Sequence, residues 1–121
     1  MIEIIDDMIR TAKKVTRTVY RSYPAKNIMA PAIVINPSGR NVLVSDEEGN
    51  EVVTQLSYTV DFLSKTQRGI DEMFRKLTKL YNRKNIHSTS YSPMYILTAD
   101  VYGAVATYTV TVDRRGMTYR S

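Results

Sequence analysis

The stretch from Val52 to Ser64 constrains the fold more than any other. Its side chains alternate, with Leu56, Tyr58, Val60 and Phe62 on one side and Ser57, Thr59 and Asp61 on the other. A period of two is the pleat of a strand with one buried face. A slip of one residue would exchange the faces, so the register is well specified. The period then changes. Over residues 67–84, Ile70, Met73, Phe74, Leu77, Leu80 and Tyr81 form a single helical stripe, with Ser64 or Thr66 available as N-cap. Asp71–Arg75 and Glu72–Lys76 place an acid four residues ahead of a base, the favourable order on a helix. Burying the stripe is worth on the order of 10 kcal/mol before entropy. This helix is therefore expected to dock on the sheet and organise the core.

The remaining elements are read around that pair. Residues 3–21 carry Ile5, Met8, Ile9, Ala12, Val15, Thr16 and Val19 at helical spacing, acids first and cations last. Tyr23-Pro24 is expected to end that helix. Ile28 to Ile35 is apolar but contains Pro31, which suits an edge or irregular strand. Asn36-Pro37-Ser38-Gly39 reads as a turn, Asn41 to Ser45 as a separate short strand, and Asp46 to Asn50 as a polar turn. Asn85 to Ser92 is Ser-rich and reads as an exposed loop, and Met94 to Leu97 as a short strand. From Val105 to Val112, Ala106, Tyr108, Val110 and Val112 alternate with Thr107, Thr109 and Thr111, a second strong strand with a polar outer face. Gly116 suggests a turn before a short basic and aromatic tail. The expected fold is α+β: one domain over 1–121, a mainly antiparallel sheet, with the N-terminal helix and the central helix packed on one face. A chain of 121 residues suits one such domain.

Charge and composition narrow the chemistry. The net charge is +5, and the excess lies in the second half: residues 1–60 hold seven basic and seven acidic side chains, residues 61–121 ten and five. Arg75, Lys76, Lys79, Arg83 and Lys84 cluster without an intervening acid. Such a cluster is either a surface for nucleic acid or an acidic partner, or a solvated helix face with cations toward its C-terminal end. With no cysteine there is no disulfide framework, thiolate metal site or cysteine nucleophile. Met1 to Val19 carries six charged residues from Asp6 to Arg17 and lacks the apolar stretch of a signal peptide. No segment approaches the run of about 18 apolar residues of a membrane span.

Catalytic signatures are missing. The single histidine, His87, stands in the Ser/Thr-rich stretch with no triad signature around it. Asp46-Glu47-Glu48-Gly49-Asn50 resembles a hard-cation loop only in charge, lacking the terminal bidentate glutamate. Neither GxxxxGK[ST] nor GxGxxG occurs, and neither a cofactor nor a metal is expected. Nine tyrosines and no tryptophan are more suggestive. Tyr91, Tyr95, Tyr102 and Tyr119 lie in apparent loops, short strands or the tail, where tyrosine serves either a protein interface or its own core.

The segment Leu56-Ser57-Tyr58-Thr59-Val60-Asp61-Phe62-Leu63-Ser64-Lys65 resembles the Y-x-V/I-D-x-x-S-K strand of phage tail-completion proteins. In that family a helix follows at once, as Ile70 to Tyr81 does here. A polar stretch and a last strand like Tyr108-Thr109-Val110-Thr111-Val112-Asp113 come next, closed by glycine and an aromatic-basic end, here Gly116, Tyr119 and Arg120. The likeness covers most of the chain in element order and residues 53–84 and 104–120 in detail; 25–50 and 86–103 match nothing in it. The family, the tail terminators of long-tailed bacteriophages, implies a hexameric ring on the head-proximal end of the tail tube. That ring ends tube growth and meets the head-completion or stopper protein. Implied partners are further copies of the chain, the major tube protein and that head-completion protein, with DNA passing through the lumen unbound. The implied location is the virion neck, reached from the host cytoplasm. A ring needs heterologous interfaces. The turn-rich segment, with Arg40, Asp46, Glu47 and Glu48, the stretch with Tyr91, Tyr95 and Tyr102, and the end with Arg114, Arg115 and Tyr119 are the candidate contact residues. The competing readings are another neck or stopper protein and a small basic nucleic-acid-binding module using Arg75 to Lys84 for phosphates and the tyrosines for stacking. An enzyme has no residues to support it.

Overall fold

A computed structural model of the chain describes residues 4–21, 29–49, 51–98 and 100–113. Helix α1 (Ile4–Ala12) is followed by strands β1 (Val19–Tyr20), β2 (Ala32–Ser45) and β3 (Glu51–Ser64), helix α2 (Gln67–Asn82), and strands β4 (His87–Tyr91), β5 (Tyr95–Thr98) and β6 (Val101–Asp113). The strands form one sheet in the order β1-β2-β3-β6-β4, with β5 also paired to β6. All pairings are antiparallel except that of β1 with β2. This is the expected α+β class.

The two alternating segments form the centre of the sheet. Strands β3 and β6 run in unbroken register from Val53↔Asp113 to Ser64↔Tyr102. Tyr58, Val60 and Phe62 lie beside Tyr108, Ala106 and Ala104, and all six are buried under the helices. Ile70, Met73, Leu77 and Tyr81 of α2 complete that core with Ile5, Met8 and Ala12 of α1. Phe74 and Leu80, also in the stripe, are half-buried. Thr66 caps α2, its hydroxyl accepting from Gly69 N at 3.0 Å. Ser64 supports the cap by accepting from Thr66 N. Glu72 pairs back to Arg68, at 3.2 Å.

Aromatic rings tie the helix to three strands. Phe74 meets Phe62 edge-on at 5.9 Å and stacks on Tyr91 at 3.9 Å, while Tyr81 meets Tyr108 edge-on at 5.1 Å. The Tyr81 hydroxyl donates to the Met8 carbonyl at 2.8 Å, and Tyr108 shares a 2.7 Å bond with Thr78. Burial pushes the Tyr81 hydroxyl far above the ordinary tyrosine value, with Tyr108 and Asp7 adding to the effect. Burial does the same at Tyr108, where the Thr78 bond offsets only part of it. Unfolded tyrosines ionise near pH 10 while these two stay protonated, so above that pH the folded state holds more protons. Their contribution is complete below about pH 10 and falls above it by about 1.4 kcal/mol per pH unit for each. Denaturant midpoints should drop between pH 10 and 11.5, and less steeply in Tyr81→Phe.

Four boundaries differ from expectation. Helix α1 stops at Ala12 rather than running to residue 21. The chain tightens through bonds from Lys14 N to Thr11 O and Val15 N to Ala12 O. Val15, Thr16, Thr18 and Val19 are β-branched and favour extended backbone, and Val19 and Tyr20 find it by pairing with Ile33 and Val34. The expected stop at Tyr23-Pro24 lies outside the described residues. Strand β2 begins just after Pro31 and does not break at Asn36–Gly39. The turn signal is absorbed as a register shift between Pro37 and Gly39, and Asn41–Ser45 continues the same strand. Proline and an extra residue are tolerated there because β1 covers only Ile33 and Val34, leaving the rest of β2 at the sheet edge. Asn85 to Ser92 is not a loop: Asn85, at φ 62°, turns the chain out of α2, and His87–Tyr91 pairs with Ala106–Thr109.

A smaller cluster of Ala32, Val34 and Leu63, with Tyr20 and Val101 packed on it, lies on the other face. Asp61, expected among the outward polar residues, is buried beside it in register with Val34. Beyond it the outer face is half-exposed and mostly hydroxyl-bearing, with Thr59 opposite Thr107, Ser57 opposite Thr109 and Gln55 opposite Thr111, and it ends at Asp113 opposite Val53.

Candidate interaction surface

Two surfaces stand apart from the packed body. The first is the far half of the β2–β3 hairpin, an arm in which every β2 residue from Pro37 to Ser45 is exposed. Val42, Leu43 and Val44 are 39, 49 and 48% exposed. Val42 pairs with Thr54 and Val44 with Val53, and Leu43 falls at the register shift between them, so apolar atoms are presented toward both faces. No strand pairs with the outer edge of this segment among the described residues. An exposed apolar edge is a template for another chain. The expected polar turn closes the arm: Asp46 accepts from Glu48 N through its carboxylate and from Gly49 N through its carbonyl, both at 3.0 Å, and Gly49 takes φ 84°. Glu47 and Glu48 are exposed at the tip. The structure thus gathers Arg40, Asp46, Glu47 and Glu48 on one hairpin, with Arg40 in register with Leu56.

Tyr91, Tyr95 and Tyr102 lie at the other side of the sheet, on β4, β5 and β6, and all three are engaged in structural contacts. Tyr91 covers Phe74 and its hydroxyl bonds the Asp71 carboxylate at 3.4 Å; burial first, then Asp71, raises its pKa. Tyr95 lies over Gly103, where an added Cβ would sit 2.5 Å from the ring carbon Cζ. Gly103→Ala must push the far end of that ring aside, and because Tyr95 is only half-buried the cost in urea unfolding should be about 1 kcal/mol, the low end for overpacking. Tyr102 packs half-buried against the main core. The most exposed apolar residues of this region are Ile96 and Leu97, at 72 and 44%, with Tyr91 less open at 36%. Sequence reasoning misses them, and Val42–Val44 with them, because a short apolar run cannot say which of its residues lie inside. Arg114, Arg115 and Tyr119 lie outside the described residues.

The second surface is a groove between the end of α1 and the outer side of α2, enclosing about 260 Å³. Val15 and Leu80 are its half-buried apolar lining, and the exposed Lys14, Lys76, Lys79 and Arg83 surround them. None of these four cations pairs with an acid among the described residues. Spacings of three and four residues bring Lys76, Lys79 and Arg83 onto one side of α2, and the turn after α1 adds Lys14. The fifth member of the sequence cluster, Lys84, is taken up by Asp7 at 3.1 Å, an inter-helix tie. Arg75 is exposed but does not line the groove.

His87 is held through Nδ1 by the Asn82 side chain at 3.1 Å. Among the described residues no three His, Asp or Glu side chains stand close enough to hold a metal ion, and no helix is long and apolar enough to cross a membrane. The chain matches no protein-family model and no curated protein.

Proposed function

We propose that the protein is a structural subunit of a phage tail, forming a ring of about six copies that caps the head-proximal end of the tail tube and joins it to the head connector. The carrying observation is the arm: an edge strand with apolar residues exposed on both faces, extended from a well-packed body. Scattered surface apolar residues are ordinary, but three consecutive ones on an open strand edge favour contact with another chain. The cationic groove and the exposed Ile96 and Leu97 differ from the arm in chemistry. Unlike patches on one molecule suit the heterologous contacts that close a ring. The order of elements, with the long β3, α2 and β6, agrees with the tail-terminator resemblance. The hydroxyl face, which carries no cation along β3 and β6, suits a DNA passage better than the cationic groove does, because it offers nothing to hold phosphate.

The test is capping. Purified protein added to polymerising tube protein should shorten tubes and leave a ring on one end in electron micrographs. Unchanged tube lengths and bare ends would reject the reading in favour of another neck protein. The groove's four cations favour a second reading, a nucleic-acid module. That reading has a reduced stacking platform, since one face of the Tyr91 ring is already taken by Phe74. Binding of single-stranded DNA at 150 mM salt, abolished by Lys79→Glu, would revive it.

A further inference from the structure

We infer that the tip of the β2–β3 arm of one copy docks into the cationic groove between α1 and α2 of a second copy. The inference rests on the assembly reading above and names the two surfaces that meet. The arm presents, in order, Val42, Leu43 and Val44 and then the exposed acids Glu47 and Glu48. The groove offers the matching chemistry, with Val15 and Leu80 inside and Lys14, Lys76, Lys79 and Arg83 around them. Apolar side chains fill the floor while carboxylates reach the rim. At 260 Å³ the groove is smaller than the roughly 300–1,000 Å³ of a small-molecule site. Its lining has no aromatic ring for a base. Both facts favour a few protein side chains over a nucleotide.

The occupant must come from another molecule. Tyr81, near the C-terminal end of α2, touches Tyr108, which is in register with Tyr58. From Tyr58, β3 continues as extended strand for seven residues to Glu51, so the arm tip lies up to about 24 Å past that row. Lys76, Lys79 and Leu80 lie on α2 before Tyr81 and Arg83 two residues beyond it, whereas the arm stays paired with β3 as far as Ser45↔Glu51, which holds its tip away from its own groove. Arm and groove are different patches, so each copy offers one of each, and the contact propagates head to tail until it closes. Because rim charges contribute, the association weakens as salt shortens their range.

Charge exchange tests the junction. Glu47→Lys with Glu48→Lys reverses the arm, and Lys79→Glu with Arg83→Glu reverses the groove. Each variant alone faces like charges and should self-associate about 100-fold more weakly than the native chain in sedimentation velocity at 50 mM salt. An equimolar mixture should recover the native assembly, because the reversed arm fits the reversed groove and the native arm fits the native groove. Native mass spectrometry should then find the two variants in equal numbers. All four positions are exposed, so thermal midpoints should match the native protein and exclude misfolding as the cause. Assembly that survives either reversal, or a mixture that stays dissociated, overturns the junction while leaving the ring reading intact. So does a native chain that stays monomeric at millimolar concentration. Failure to cap tubes, with the exchange working as described, sinks the ring reading and spares the junction.

Discussion

Tyr81→Ala should lower the folding stability by about 3–5 kcal/mol. The ring is fully buried and belongs to both layers at once. It meets Tyr108 of the sheet edge-on, and its hydroxyl donates to the Met8 carbonyl of α1. Truncation leaves a cavity at the junction of α1, α2 and β6, removes the aromatic contact and takes a donor from a buried carbonyl. The collapse that would refill such a cavity is opposed on the sheet side, where Tyr108 is held by Thr78. Against the roughly 5–15 kcal/mol of a typical domain, this loss is large enough to leave much of the protein unfolded at 37 °C. Urea unfolding followed by circular dichroism should show the midpoint falling with an unchanged slope. Tyr81→Phe separates the parts: it keeps the ring and loses the hydrogen bond, and should cost about 1–2 kcal/mol. If Tyr81→Ala shifted the midpoint by less than Tyr81→Phe is expected to, the ring would not be the keystone described.

The second large effect concerns assembly and leaves the fold alone. Val42→Thr, Leu43→Thr and Val44→Thr together should abolish self-association and tube capping while changing stability by less than about 0.5 kcal/mol each. Threonine shares the β-branched preference of Val42 and Val44 for extended backbone and introduces it at Leu43, so the arm persists. What disappears is apolar surface. The three side chains are already half-covered, and covering the remainder is worth roughly 1 kcal/mol apiece, or about 3 kcal/mol together. That corresponds to a loss of about 100-fold or more in affinity per junction, and a closed ring multiplies it over every junction. Sedimentation velocity and negative-stain microscopy read the two outcomes. Full capping activity in the triple variant would remove the arm from the contact and leave Ile96 and Leu97 as the better apolar candidates.

Segments with a strong internal period are legible from their residues alone. The alternation over Val52–Ser64 and Val105–Val112 corresponds to the central pair β3 and β6, and the stripe from Ile70 to Tyr81 to the buried side of α2. Periodicity works there because those elements are amphipathic: one face is dry and the other wet, and the code for that is local. It fails where an element's state depends on a neighbour. The Ser-rich 87–91 segment looks like a loop because its side chains ask for nothing buried except Tyr91. It is a strand because β6 has a free edge beside it. Asn36–Gly39 has the residues of a turn, yet β3 offers a continuous ladder, and keeping it outweighs the local preference.

The candidate contact residues divide in the same way. Glu47 and Glu48 are visible as a charged turn and stand at an exposed tip, whereas Tyr91 lays one ring face on Phe74 and Tyr95 lies over Gly103. The cations of α2 are visible as a run; that Lys14 joins them, that Lys84 leaves them for Asp7, and that Val15 and Leu80 line a groove at their centre are not. By itself the sequence determined the α+β class, which face of each central strand is apolar, the buried side of the main helix and the absence of cysteine chemistry, since each is written in one residue's type or in a short period. The tertiary structure alone decided which edges are paired, how far each strand runs and which surface residues share a groove. Those outcomes depend on backbone groups and side chains brought together from distant positions, and a local pattern carries no record of them.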